Sequence, residues 1–167
     1  MQILEAVYPR IKDRLWRFLY SLTRNADLAE DLFQAAFEKT IPAVEAGRLD
    51  EQSVIPYLFQ VARNEFLNSI RKTRRETALA YDPEVPSAPE DQSGRIQAVI
   101  AKFLEKPELA DRIRDVLRLR LLGELNADEI AAALDTSRRT VYRDLQAGLE
   151  QLKGAFEAEG ITPEDLE

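Results

Sequence analysis

Histidine and cysteine are both missing from the 167-residue chain, methionine and tryptophan occur once each, and glycine only six times. The first two absences exclude whole classes of chemistry. No Ser-His-Asp triad, cysteine nucleophile, Cys/His zinc cage or haem held by those ligands can be assembled. Carboxylates, hydroxyls, lysines and amides remain, with no Gly-rich phosphate loop to organise them, so the chain reads as a non-enzyme that needs no metal or cofactor. No run of about 18 apolar residues occurs, and Met1 to Glu5 lacks the basic segment that precedes the apolar core of a signal peptide. The expectation is a cytoplasmic protein without membrane insertion, and the lack of cysteine suits a reducing compartment.

What is present is charge. Lys and Arg number 23 against 30 Asp and Glu, a net charge of −7. That balance argues against a surface coated for nucleic acid but leaves room for local basic patches, so distribution matters more than the sum. Apolar residues recur at helical spacing almost throughout, which predicts an all-α chain. The clear break runs from Thr77 to Gly94, where Pro83, Pro86 and Pro89 stand among Asp82, Glu84, Ser87, Glu90, Asp91 and Ser93. Such a stretch has too little apolar surface to order itself and reads as a flexible linker spanning roughly 20 to 25 Å. The predicted layout is an N-terminal helical domain over 1–76, a linker over 77–94, a C-terminal domain over 95–153 and an acidic tail over 154–167. The two domains could then act as separate modules on one extended partner.

In the first domain, Ile3 to Leu22 is expected to be helical, interrupted early by Pro9. The next helix is expected to start at Asp27, with Glu30 as capping-box partner, and to stop at Pro42. Its apolar face is Leu28, Leu32, Phe33, Ala36 and Phe37, and Asp27, Asp31, Gln34 and Glu38 make an acidic stripe on the other. Ala43 to Gln52 reads as a loop. A long helix from about Pro56 to Glu76 buries Leu58, Ala62, Phe66 and Ile70, while Asn64, Asn68, Arg71 and Arg75 share an exposed face with Lys72 and Arg74 beside it. This basic face could be ordinary solvated surface. Its arginine content and interleaved asparagines suit hydrogen bonding to bases and phosphates, and Tyr57 and Phe59 upstream could stack on unpaired bases if they are not core residues.

In the second domain, helices are expected near Arg95–Glu105, Glu108–Leu122, Asp128–Leu134 and Arg138–Lys153. Asn126 with Glu129 makes a capping box, and Ser137 is a good N-cap. A short helix, the Asp135-Thr136 turn and a longer helix make a helix-turn-helix, with Ile130, Leu134, Val141 and Leu145 as its apolar joint. Spacing alone would equally describe a tight corner in a helical bundle. Ser137, Arg138, Arg139, Thr140, Tyr142 and Arg143 gather at the start of the second helix, where a recognition helix meets base edges and phosphates, and this polarity favours DNA. Asp144 and Glu150 place negative charge on the same helix. The segment Glu157–Glu167, with no basic residue, is expected to be frayed or disordered.

These pieces, in this order, resemble the extracytoplasmic-function sigma factors of bacterial transcription. Asp27-Leu-Ala-Glu-Asp-Leu-Phe-Gln-Ala-Ala-Phe37 is similar to the family's polymerase-binding helix. Tyr57-Leu-Phe-Gln-Val-Ala-Arg-Asn64, continued by Leu67-Asn-Ser-Ile-Arg71, Arg74 and Arg75, is similar to the helix that engages the −10 promoter element. Arg114-Asp-Val-Leu-Arg-Leu-Arg120, Glu129-Ile-Ala131, Leu134 and Ser137 to Leu145 are similar to the domain that binds the −35 element. The resemblance implies two helical domains and a non-enzymatic factor that joins core RNA polymerase, recognises promoter DNA at two places and helps open it. It implies that Asp27, Glu30, Asp31, Gln34 and Glu38 contact the β′ clamp helices, that the second domain meets the β flap, and that Asn64, Asn68, Arg71, Lys72, Arg74 and Arg75 support the melted strand. The loop Ala43–Gln52 stands where the family captures an extruded base, and flipping that base costs a few kcal/mol that pocket and backbone contacts offset. An anti-sigma factor is a further implied partner. Against the family pattern, Tyr57 replaces Trp, Asn68 replaces Asp, Asp135 replaces the turn Gly, and Asp144 with Gln146-Ala147-Gly148 replaces basic positions. The alternative reading is a sigma-like decoy or adaptor that binds an anti-sigma factor without initiating transcription.

Overall fold

The computed structural model describes residues 2–76 and 91–166, the side chains of 74–76 excepted. Among these residues the chain is helical throughout: α1 (Gln2–Thr23), α2 (Ala26–Glu45), α3 (Glu51–Glu76), α4 (Gln92–Leu104), α5 (Asp111–Leu121), α6 (Ala127–Ala133), α7 (Arg138–Ala158) and a closing 3₁₀ turn, Pro163–Leu166. The predicted linker falls on residues outside the described ones except at its end, where Asp91 caps α4 by accepting from the Gly94 N–H at 2.9 Å. The second domain therefore starts its first helix at Gln92, three residues earlier than periodicity suggested.

Packing overrides several local stop signals. Pro9 and Pro42 both lie inside continuous helices. Proline removes one backbone donor and crowds the preceding turn. Beyond Pro42, Ala43 and Val44 bury against the core and carry α2 to Glu45, so the predicted loop shrinks to Ala46–Asp50. The α2 cap is also not the one expected from sequence. Asn25 accepts from the Leu28 N–H at 2.9 Å, and Asp27 sits in the first turn rather than opening it. At α3, Asp50 accepts from the Gln52 and Ser53 N–H groups and starts the helix at Glu51, five residues before Pro56.

The helix-turn-helix forms as read. Asn126 and Glu129 complete their reciprocal cap, and the Ser137 hydroxyl accepts from the Thr140 N–H at 3.1 Å. Asp135 adopts φ 51°, the left-handed conformation that the turn demands and that Asp tolerates better than most residues. Ile130 and Val141 are fully buried at the joint.

The two halves share one core. Val7, Ile11, Leu15, Phe18, Leu58 and Phe59 from the first half pack in the same cluster as Val116, Leu119, Leu125, Ile130 and Val141 from the second. Fully burying each such side chain contributes about 1.5–3 kcal/mol. Polar contacts register the junction. Arg14 donates through Nε to the Gly123 carbonyl at 2.8 Å and through Nη2 to the Glu124 carbonyl at 3.0 Å. Arg63 pairs with Asp115 at 2.8 Å, and Arg24 pairs with Glu105. The sequence leaves the arrangement of the two domains open, and the shared core docks them on each other.

A second cluster joins Phe103, Leu104, Leu109, Leu117, Leu152, Phe156 and Ile161. It corrects the expectation for the tail, which is ordered. Helix α7 runs to Ala158, Gly160 takes a left-handed φ of 73°, and the Ile161 N–H returns to the Phe156 carbonyl at 2.9 Å. This Schellman closure turns Ile161 inward, where it is 2% exposed. The Gly160-Ile161 pair following Phe156 was the available signal.

Candidate functional site

Three polar faces stand clear of the shared core. The first is on α2, where Leu32, Phe33 and Ala36 point inward and hold the helix by its apolar stripe. Asp27, Glu30, Asp31, Gln34 and Glu38 consequently all point to solvent, with Gln34 Nε2 donating to Glu30 Oε1 at 3.1 Å. Beside them Tyr8 is 44% exposed, its ring 5.5 Å from Phe37 and 6.2 Å from Phe33. Tyr8 escaped the sequence reading because α1's spacing gave no reason to separate it from the core.

The second face is on α3. Leu58 and Ala62 are buried, so Asn64, Asn68, Arg71 and Lys72, on the opposite side, are exposed. Arg74 and Arg75 belong to the same helix, but their side chains lie outside the described ones. Phe59 is a core residue, in edge contact with Phe18 at 5.5 Å between centroids. Tyr57 is half-buried and lines an open cleft of about 850 Å³ with Arg10, Asp50 and Ser53. The shortened Ala46–Asp50 loop thus leads into a cleft whose far wall is Asp128 and Glu129 of α6. Hydrogen bonds from Ser53, first its N–H and then its hydroxyl, hold the Asp50 carboxyl below its ordinary range.

The third face is the start of α7. Ser137, Arg138, Arg139, Tyr142 and Arg143 are exposed, and Thr140 is half-exposed beneath them. Arg138 folds back along its own helix. Its guanidinium lies 5.4 Å from the Tyr142 ring centre, donates to the Tyr142 hydroxyl at 3.2 Å and pairs with Asp128 at 3.2 Å. The Tyr142 hydrogen bond, followed by the charge of Asp128, raises its pKa. Exposed pairs of this kind are weak and yield readily to a stronger anion. Asp144 does not share this surface. It is 3% exposed on the inner side of α7, where Arg112 of α5 approaches it at 2.8 Å. Sequence spacing placed its charge toward phosphate, and the α5–α7 packing turns it away.

No group of acidic residues able to hold a metal occurs among the described residues, and no described helix is long and apolar enough to cross a membrane.

Comparison with known proteins places the chain in a family. The family model for Sigma-70 region 2 matches residues 7–76, and that for Sigma-70, region 4 matches residues 107–154. The ECF RNA polymerase sigma factor SigM of Bacillus subtilis is 30% identical over 159 residues, spanning 92% of this chain and 94% of its own. The chain belongs to the extracytoplasmic-function sigma factors. It is an RNA polymerase sigma factor, of a family whose members are non-enzymatic transcription initiation factors. RNA polymerase sigma factor CarQ of Myxococcus xanthus is 28% identical over 154 residues, covering 89% of this sigma factor and 86% of CarQ. Among solved structures, the sigma factor RpoE of Bartonella quintana, in complex with the anti-sigma factor NepR, superposes with a TM-score of 0.62 at 23% identity over 93% of this chain and 95% of that one. CnrH in complex with the cytosolic domain of CnrY gives 0.60 at 19%, over 92% and 87%. At that identity the two structures speak for the fold.

Proposed function

We propose that this sigma factor docks on core RNA polymerase through the acidic face of α2 and reads promoter DNA with α3 and α7. In this reading Asp27, Glu30, Asp31, Gln34 and Glu38 meet the β′ clamp helices, and the α5–α7 domain meets the β flap. Asn64, Asn68, Arg71, Lys72, Arg74 and Arg75 support the melted strand at the −10 element, with the Tyr57 cleft next to the Ala46–Asp50 loop receiving an extruded base. Ser137, Arg138, Arg139, Thr140, Tyr142 and Arg143 contact the −35 element. Coupling base capture to strand support would let sequence choice drive opening.

The observation that carries this is the outward placement of every described residue of the α2 and α3 sets, and of the α7 set apart from half-exposed Thr140, on separate helices anchored by one core. The decoy alternative rests on a weakened recognition helix and a net charge of −7, and the burial of Asp144 removes one part of the first of these. We further propose an anti-sigma partner, as in the complex of RpoE with NepR, and a cytoplasmic place of work beside polymerase. The deciding experiment is co-elution of the purified protein with sigma-free core RNA polymerase. Wild type is expected to co-elute, and the double variant Asp31→Ala, Gln34→Ala to do so weakly. Absence of co-elution by a folded wild-type chain overturns the reading.

A further inference from the structure

A buried carboxylate on the inner side of a DNA-reading helix needs an explanation. Removing it from water is costly unless it is paired, and an apolar residue of similar size would pack without that cost. Asp144 is met by two arginines from different directions. Arg112 Nε lies 2.8 Å from Oδ2 and Arg143 Nε 3.6 Å from Oδ1, and both arginine side chains are 62% exposed while that of Asp144 is 4% exposed. The Arg112 contact is close without being aligned as a hydrogen bond, so the attraction is chiefly ionic.

Both arginines approach through Nε, the inner nitrogen of the fork. Their terminal NH₂ groups make no other hydrogen bond or ion pair among the described residues. Arg138 differs, since Asp128 and Tyr142 already engage it. The two guanidinium groups are tied to the two oxygens of one carboxylate. They cover the negative charge from the solvent side, and the cluster sums to +1. An arginine held in place loses less rotamer freedom on binding, and its planar fork suits a phosphate.

We infer that Arg112 and Arg143, both tethered to buried Asp144, form a preorganised clamp for one DNA backbone phosphate beside the recognition surface. Arg112 enters as a binding residue that nothing in its own helix's pattern signals, and Asp144 as a positioning residue. This rests on the reading of α7 as the helix that meets the −35 element. The clamp orients the protein on the duplex without reading sequence, because phosphate contacts carry no base information.

The test uses full-length protein in holoenzyme with core RNA polymerase, on a promoter duplex that the holoenzyme selects from a random-sequence library. Binding constants are measured across a salt series, with thermal melts to establish folding of each variant. Arg112→Ala is expected to weaken binding roughly three- to tenfold, equally on promoters mutated within the −35 element, and to lower the log-affinity against log-salt slope by about 0.9. Asp144→Asn is expected to weaken binding as well, although it removes a negative charge next to DNA. Arg112→Lys keeps the charge and loses the fork, so it is expected to retain the slope with reduced affinity. Tighter or unchanged binding by a folded Asp144→Asn variant, or an unchanged slope for Arg112→Ala, overturns the clamp. Arg139→Ala separates the two levels: if it too binds as wild type, the assignment of α7 to DNA fails, and if it alone weakens binding, only the clamp fails.

Discussion

Phe59 of α3 presses its ring edge against Gly123, in the turn after α5, so closely that a Cβ at position 123 would stand 2.9 Å from Phe59 Cε1 and 2.8 Å from the Leu119 carbonyl oxygen. The contact joins the two halves at their shared core, and the Gly123 carbonyl also receives Arg14 Nε. Replacement Gly123→Ala must therefore move either backbone or a fully buried ring, at a cost of about 1–3 kcal/mol. The expected result is a lower melting temperature with a larger radius of gyration by small-angle scattering. A melt and radius equal to wild type would show that the halves do not depend on this contact.

On α3, Arg71 and Lys72 are exposed on the face read as supporting the melted strand. Changing both to Ala should reduce the salt slope for binding a single-stranded promoter segment by about 1.4, at roughly 0.7 per lost contact. Affinity measured from low to physiological salt gives that slope directly. An unchanged slope would remove these two residues from the strand path.

The tail makes a stability prediction where the sequence alone would have predicted no effect. Ile161 is buried in the second cluster and closes the α7 C-terminus. Ile161→Ala should cost about 2 kcal/mol, read as a lower urea midpoint with an unchanged slope. A frayed tail would show no change.

At the start of α7, Ser137 accepts from the Thr140 N–H and sets where the helix begins. Ser137→Ala should cost about 1 kcal/mol in urea denaturation. It should also weaken promoter binding, because the Arg138–Arg143 segment is aimed from that first turn.

The cap at Asp50 makes a pH prediction. Its folded pKa lies below the ordinary 3.8 because Ser53 hydrogen-bonds the ionised form. A depressed carboxylate contributes stability that is complete above its unfolded value and is lost as pH falls through the folded one. The stability difference between wild type and Asp50→Ala should therefore be constant from about pH 7 to 5 and shrink only below the ordinary value. A difference already fading near neutral pH would contradict the assignment.

Much of the molecule is legible in its sequence. Helical periodicity marked the apolar faces of α2 and α3, and by elimination the polar faces that proved exposed, because a stripe that buries one side of a helix presents the other. The Asn126–Glu129 and Ser137 caps were readable because they depend on residues three apart in the chain. Helix limits were less readable where packing opposed a local signal. Pro42 costs a hydrogen bond, and burial of Ala43 and Val44 outweighs it. The α2 cap was misplaced by two residues because Asn25 and Asp27 are both competent caps, and only backbone geometry selects between them.

Residue types and spacing by themselves determined that the chain is helical, which faces are polar, where the helix-turn-helix turns, and that histidine and cysteine chemistry is excluded. These are local properties, governed by contacts within about one helical turn. Tertiary structure alone decided that the two halves share a core, that the tail folds back through Ile161, and that Asp144 faces inward to Arg112 rather than outward to DNA. Each of those depends on residues far apart in sequence, where the free energy of burying apolar area selects the partner and no spacing rule encodes it.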